Sequence, residues 1–423
     1  MVCHAACVLC EFNFCPDIPD VVILFLIVFV GLVGFGLILP LFPFYALRLG
    51  ASPEVMTWTM AAFSLGQFIA APIWGRLSDA WGRRPILILT MLGSAISYLI
   101  LAYADELWVL IFSRVFGGLM AGNIAIAFAY VTDITRPQDR AAGLGRISAA
   151  LGLGFMFGPA IGGLLAGPDV ETANYLLPAL AAGGVSLIAM LGAWLMLPES
   201  LPAERRRPLF GGRIESEQQG SAGAGPTGLL QRPNLLRLVT SAFMFFVAMS
   251  LMESIFPLWS NNLFNLGPSD IGLLFLGIGA ISVITQGVLI GKLVPRFGEK
   301  RLALFAVVMF GTGMLVLATA GAVWQVLLGI AFFATGTGFL NPSLSSLVSQ
   351  TAADNERGSV MGKYQAASAL GRIGGPSISG MLYADVSLAA PFALGGLIML
   401  PVLMLIRSTQ IMTRPVSKPG ASG

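Results

Sequence analysis

The chain has 423 residues, 56% hydrophobic and only 11% charged, with a formal net charge of +3 and a mean hydropathy of +0.83. A soluble domain coats itself with about 25% charged residues, so this composition excludes a water-soluble globule and makes lipid the main solvent. A single histidine, His4, and cysteines confined to Cys3, Cys7, Cys10 and Cys15 exclude a Ser-His-Asp triad, a multi-histidine metal site and a disulfide-stapled fold.

In chain order, a head over 1–20 carries all four cysteines. Their spacing is irregular, and a metal site, a lipid anchor and non-native residues ahead of the true start all remain open for it. Apolar runs long enough to cross a ~30 Å hydrocarbon core then recur near 21–47, 55–77, 85–104, 106–132, 141–167 and 175–197. They resume near 236–264, 269–294, 300–320, 322–350, 358–384 and 387–408, twelve in all. Runs of about twenty residues without alternation predict helices and not a barrel. The first run is read as a span and not a signal peptide, because no positive segment precedes it. Between the sixth and seventh runs, 198–235 holds Arg205-Arg206-Arg207 and a Gly/Ser/Ala-rich stretch, the composition of a flexible linker. A tail over 409–423 ends the chain.

Of the 24 lysines and arginines, 21 fall in segments that share one side of the membrane if both termini are cytoplasmic. Only Arg48 lies on the other side, and Arg114 and Arg372 lie within spans. That asymmetry predicts cytoplasmic termini and an even number of spans.

The chain also repeats. At an offset of 216, Gly75-Arg76 and Gly82-Arg83-Arg84 meet Gly291-Lys292 and Gly298-Glu299-Lys300. At 217, Arg140 meets Arg357, Arg146 meets Lys363, Gly158-Pro159 meets Gly375-Pro376, and Pro40 meets Pro257. A duplicated six-helix unit is the simplest source of matches at nearly one offset. The expected organisation is one bundle over 21–197 and a second over 236–408.

Two motifs carry chemistry. After span two comes Gly75-Arg76-Leu77-Ser78-Asp79-Ala80-Trp81-Gly82-Arg83-Arg84-Pro85, read as a loop in which glycines permit a turn and Asp79 caps a helix or pairs with an arginine. In span five, Gly154, Gly158 and Gly162 recur every four residues beside Pro159 and Gly163. They form a ridge where helix backbones can approach closely.

The first motif resembles the G-x-L-x-D-x-x-G-R-R signature of the major facilitator superfamily. The second resembles the G-x-x-x-G-P-x-x-G-G motif of that superfamily's drug/proton antiporters, of the multidrug or tetracycline-resistance type. The resemblance implies an all-α membrane protein with twelve transmembrane helices in two pseudo-symmetric six-helix bundles. It also implies that the 75–85 loop latches the two halves on the cytoplasmic side, and that Arg114 of span four belongs to a proton path. Asp133 and Arg140 resemble the family's D-x-x-x-x-x-x-R pattern and are read as a mainly structural cytoplasmic charge network with Asp79 and Arg83, within a gate that also includes Gly75, Gly82 and Arg84. A carbonyl-satisfying structural role for Arg114 stays open.

Of the 21 acids, only Glu253 lies well inside a span. A carboxyl in low dielectric can cycle protons near neutrality. Arg372 lies at a depth within about three residues of it, or ~5 Å along the helix axis, so a switchable pair is expected, with a static structural pair as the alternative. The segment 252–259 is similar to the seventh span of efflux antiporters that carry a glutamate there. Tetracycline antiporters place an aspartate early in span one, where this chain has Gly31. That departure argues against tetracycline itself and moves coupling toward Glu253.

Gln67, Asn123, Gln286, Asn341 and Gln365 are candidate cavity residues. The expected function is export of small amphipathic compounds, including cationic ones, in exchange for protons by alternating access in the inner membrane. The partners are then a small-molecule substrate, protons and the lipid bilayer, with no nucleic acid. No cofactor beyond the proton gradient, no enzymatic activity and a monomer are expected. A uniporter or symporter of a sugar or organic acid would keep the fold but not explain the span-five motif. A non-transporting sensor would need a signalling domain.

Overall fold

The computed structural model describes residues 20–136, 139–206, 231–352 and 356–410. The cysteine-bearing head, linker residues 207–230 and the tail from 411 lie outside the described residues.

Span one is α1 (Asp20–Ile38) and α2 (Phe42–Arg48), followed by α3 (Pro53–Trp81) and α4 (Arg83–Ala102) as spans two and three. Span four is α5 (Leu107–Met120) with α6 (Asn123–Ile134), and α7 (Arg140–Ala166) and α8 (Leu176–Met196) complete the first half. The second half opens with α9 (Pro233–Phe264) as span seven. Span eight is α10 (Pro268–Ile284), a π turn over Thr285–Leu289, and α11 (Ile290–Phe297). Spans nine and ten are α12 (Glu299–Ala318) and α13 (Val323–Gln350). Span eleven is α14 (Arg357–Met381) with a π turn over Leu382–Val386, and span twelve is α15 (Ala390–Ser408).

Among the described residues, ten helical stretches are long and apolar enough to cross a membrane by length and composition. The other two expected spans, α3 and α14, are 29 and 25 residues long but carry more polar residues, including Gln67 and Arg76 in one and Lys363 and Arg372 in the other. They pack along each other, as α7 packs along α10. These two pairs are the seam between the halves, where polar atoms can face the interior instead of lipid.

Several single expected runs are interrupted. Pro40 has no N–H to continue span one, and the chain turns with Leu39 N donating to the Gly36 carbonyl at 3.3 Å and Leu41 N to Ile38 at 3.1 Å. Span four breaks at Ala121-Gly122, and span two serves the freed carbonyls. Trp74 Nε1 donates to Leu119 at 2.6 Å and Gln67 Nε2 to Ala121 at 3.4 Å.

The 75–85 segment is not the loop expected. Helix α3 continues through Trp81, because nothing between Gly75 and Trp81 breaks its ladder. Only Gly82, at φ 109, makes the turn, a conformation that favours glycine. The first residues after span six are held in place. Pro198 accepts from Tyr130 Oη at 2.7 Å, and Ser200 Oγ donates to Asp133 at 3.3 Å, so the linker's first residues are fastened to the first half.

The last described residues are tied to the start of span seven, with Asn234 Nδ2 donating to Gln410 O at 2.8 Å and Arg237 Nη1 to Ser408 O at 2.9 Å. These residues lie at the basic face. Toward the opposite face the seam is closed. A Cβ added to Gly272 would lie 2.5 Å from the Pro159 carbonyl oxygen, one on Gly380 would lie 2.6 Å from that of Pro53, and one on Gly163 would overlap Pro268. Toward the basic face, Gly75, Gly145, Gly287, Gly291, Gly358 and Gly362 have nothing within 4 Å of an added Cβ. The seam helices make no such close contact at these positions, so the seam is tight toward one face and loose toward the basic one.

The span-five ridge has a partner that spacing did not reveal. Gly154, Gly158 and Gly162 press on span one, with 2.6 Å from an added Cβ on Gly158 to Gly36 Cα. Gly163 instead faces span eight, as does the Pro159 carbonyl, while the Pro159 ring lies against Gly36 of span one. The related ridge of span eleven presses on span seven, where Ser379 Oγ and Ser254 Oγ share a hydrogen bond of 2.9 Å.

Candidate functional site

At the basic face, Arg83 is the centre of a charge cluster. It pairs with Asp79 at 2.5 Å and with Asp133 at 3.0 Å, and Nη1 donates to Ser78 Oγ at 2.7 Å. Glu199, which spacing did not point to, accepts from the backbone N–H groups of Arg83 at 2.8 Å and Arg84 at 3.3 Å. It thereby satisfies two donors at the start of α4 that no helical carbonyl can reach. Arg140 is exposed and joins no ion pair among the described residues. Among the described residues the cluster therefore lies wholly within the first half and does not bridge the halves.

The second half holds the counterpart with its polarity reversed. Glu299, repeat mate of Arg83, accepts from Ser346 Oγ at 2.5 Å and from Gln350 Nε2. Gln350 is the repeat mate of Asp133. Each half thus ties its loop to the end of its own fourth helix.

Inside the spans, Arg114 is buried, 5% exposed, and three rings surround it. Its guanidinium carbon lies 5.8 Å from the Phe42 and Phe63 centroids and 5.6 Å from that of Tyr98. No acceptor reaches Nε or Nη2, so a carbonyl-satisfying role does not describe these atoms. Aromatic faces offset part of the desolvation cost, about 0.5–2 kcal/mol per contact, but the charge has no carboxylate partner. An uncompensated cation at that depth can receive an anionic group or polarise a proton path.

Span seven is buried at every position from 245 to 260 except Met249 and Glu253, one turn apart, which are half-buried. They form the accessible strip of this helix. The charge of Arg372 acts on Glu253, yet the two close no direct ion pair. Arg372 is exposed, with its guanidinium 5.1 Å from the Phe246 ring centroid. Tyr364, two turns earlier on the same helix, donates to Asn341 Oδ1 at 2.8 Å and joins spans ten and eleven. Spans seven, ten and eleven therefore bring one acid, one free guanidinium and an aromatic wall together.

The polar candidates divide. Gln286, on the span-eight π turn, and Gln365 are exposed, and Asn123 is half-buried 3.9 Å from the place of a Cβ on Gly31. Gln67 and Asn341 are engaged in the helix-to-helix bonds already described. Met249, Phe63 and Tyr364 are site residues that spacing could not pick out from the 18 methionines and many aromatics.

The sequence model described as Major Facilitator Superfamily matches residues 24–296 and again 262–422. The chain belongs to the major facilitator superfamily. Within it, the chain is 31% identical to Multidrug resistance protein 2 of Bacillus subtilis (strain 168) over 374 residues, covering 88% of this chain and 90% of that protein. It is 30% identical to the class C tetracycline resistance protein of Escherichia coli, covering 83% and 86%. The solved structure of the human organic anion transporter MFSD10 matches with a TM-score of 0.69 at 24% identity, covering 92% of this chain and 100% of that one. This superfamily member is thus an integral membrane protein with the superfamily's all-α fold, of the kind seen in drug-efflux transporters.

Proposed function

We propose that this chain exports small amphipathic compounds, including cationic ones, in exchange for protons by alternating access, as a monomer and without enzymatic activity. In this reading the basic face is the cytoplasmic side of the inner membrane, and the cavity is caught open to the cytoplasm. The observation that carries the reading is Glu253, the accessible acid on an otherwise buried stretch of span seven, lying in the field of Arg372.

Glu253 holds either a proton or the positive end of a substrate, and each excludes the other. Arg372 disfavours a cation while Glu253 is protonated and partly neutralises the carboxylate once the proton leaves. Exchange follows from that competition, because the cavity returns with one occupant or the other. Arg114 is proposed to sit on the proton path. Met249, Phe246 and Tyr364 supply the adaptable apolar wall that amphipathic compounds need. Gly75, Asp79, Gly82, Arg83, Arg84, Asp133 and Arg140 are proposed to form the cytoplasmic gate when the basic face closes.

The test is transport into liposomes holding purified protein and a fluorescent lipophilic cation such as ethidium. An imposed pH gradient should drive ethidium movement with opposite proton flux. A gradient that moves no ethidium and no other amphipathic cation would overturn exchange of this class.

A further inference from the structure

A second polar site lies on the outer flank of the first half, away from the transport cavity. An open groove of about 430 Å³ is lined by Trp81, Arg84, Pro85, Ile88, Trp194, Glu199 and Arg206. We propose that it binds the headgroup phosphate of an anionic phospholipid in the leaflet at the basic face.

Three features point to that ligand. First, the groove has unspent positive charge. Arg84 Nη2 donates to the Trp194 carbonyl, its Nε has no acceptor, and Arg206 Nε reaches only the Leu201 carbonyl at 3.4 Å. Among the described residues neither guanidinium pairs with a carboxylate. Glu199 is already occupied by the N–H groups of Arg83, Arg84 and Leu201, the last at 3.0 Å.

Second, Trp81 and Trp194 are 52% and 56% exposed at the ends of spans two and six, where indole rings favour headgroup depth. Third, the surface running into the membrane from the groove is apolar and open. Leu92 and Ile96 on span three are 36% and 41% exposed, and Leu191 and Leu195 on span six 42% and 69%. A ligand with an anionic phosphodiester at one end and two acyl chains at the other meets both parts. A planar guanidinium is suited to phosphate oxygens, and basic pockets between helices at this depth take phospholipid headgroups.

The shared chemistry is a phosphate, free or lipid-borne. The full-length protein in detergent is titrated separately with dioleoyl phosphatidylglycerol, dioleoyl phosphatidylcholine and inorganic phosphate. Bound lipid is counted by native mass spectrometry, and thermal stability is followed in parallel.

The expected result is a phosphatidylglycerol adduct that survives excess inorganic phosphate and exceeds the phosphatidylcholine adduct. R84Q/R206Q should weaken it about tenfold, as the loss of charge-assisted hydrogen bonds implies. R84K/R206K should restore part of it. R206Q alone, which leaves the start of α4 intact, should weaken it to a lesser degree and serves if the double variant does not fold. Equal phosphatidylglycerol retention in wild type and R206Q, or displacement by inorganic phosphate alone, would overturn the proposal. Substrate exchange plays no part in this readout, so it stands or falls apart from the transport reading.

Discussion

Gly163 of span five and Gly380 of span eleven hold equivalent places in the two halves, each pressed on the carbonyl of a helix-starting proline of the other half, Pro268 and Pro53. The pair closes the seam on the face opposite the basic one. A side chain at either position forces the seam apart, and overpacking of this kind costs about 1–3 kcal/mol. Gly380→Val should therefore shift the protein toward opening on that face. Spin labels on the α2–α3 and α14–α15 loops, in a variant lacking the four native cysteines, should move apart. Unchanged label distances would show that the closure tolerates a Cβ.

Glu253→Gln keeps the shape of span seven and removes its one acid. Substrate-driven proton release from liposomes should fall at least about tenfold, the scale expected when a coupling group is lost, while substrate binding to detergent-solubilised protein remains measurable. Glu253→Asp should retain part of the exchange. Intact proton-coupled efflux in Glu253→Gln would move the coupling role elsewhere.

The reversed polarity of the two basic-face tethers has an energetic consequence. Asp133→Asn leaves Arg83 with Asp79 alone. Both acids are partly exposed, so solvent screening keeps the loss to about 1 kcal/mol or less. Gln350→Ala removes one neutral donor from Glu299 and should cost no more. A melting temperature in detergent checks both, and a large drop for Asp133→Asn alone would mark that tether as a structural keystone.

Outside the membrane-spanning segments, the Arg232 fork grips Glu356 at 2.5 and 3.0 Å. Those hydrogen bonds, with smaller help from the charges of Arg232 and Lys363, hold the Glu356 carboxyl below its usual range. A depressed carboxylate pKa contributes stability above the unfolded-state value and loses it as pH falls through the folded-state value. Wild type should lose more thermal stability than Glu356→Gln on acidification below about pH 4.5, from the ordinary glutamate range. Parallel acid curves would show that the clasp contributes nothing.

Gly31 marks where tetracycline antiporters place an acid. Only Asn123 Nδ2, at 3.9 Å, lies within reach of a Cβ there, so Gly31→Asp should fold with a melting temperature close to wild type. Its carboxylate would sit beside Asn123, and the variant should bind amphipathic cations more tightly by fluorescence titration. Loss of folded protein would show that span one needs the glycine for packing.

The sequence by itself determined the solvent, the helical class, the duplication and the small set of charges within the spans. Composition and patterning decide those matters, because a lipid-exposed segment must satisfy its own backbone and carry few charges. It also marked the span-five ridge, since spacing by four on a helix defines one face. Partners were beyond its reach. That Gly158 faces span one while Gly163 faces span eight depends on which helices the chain brings alongside. So do the rings around Arg114, the seating of Glu199 under α4 and the distance that keeps Glu253 and Arg372 apart. Packing between distant segments sets these relations, and no local pattern encodes it. A chain with 56% hydrophobic and 11% charged residues has few charges to place within its spans, and only the tertiary structure decided what surrounds each of them.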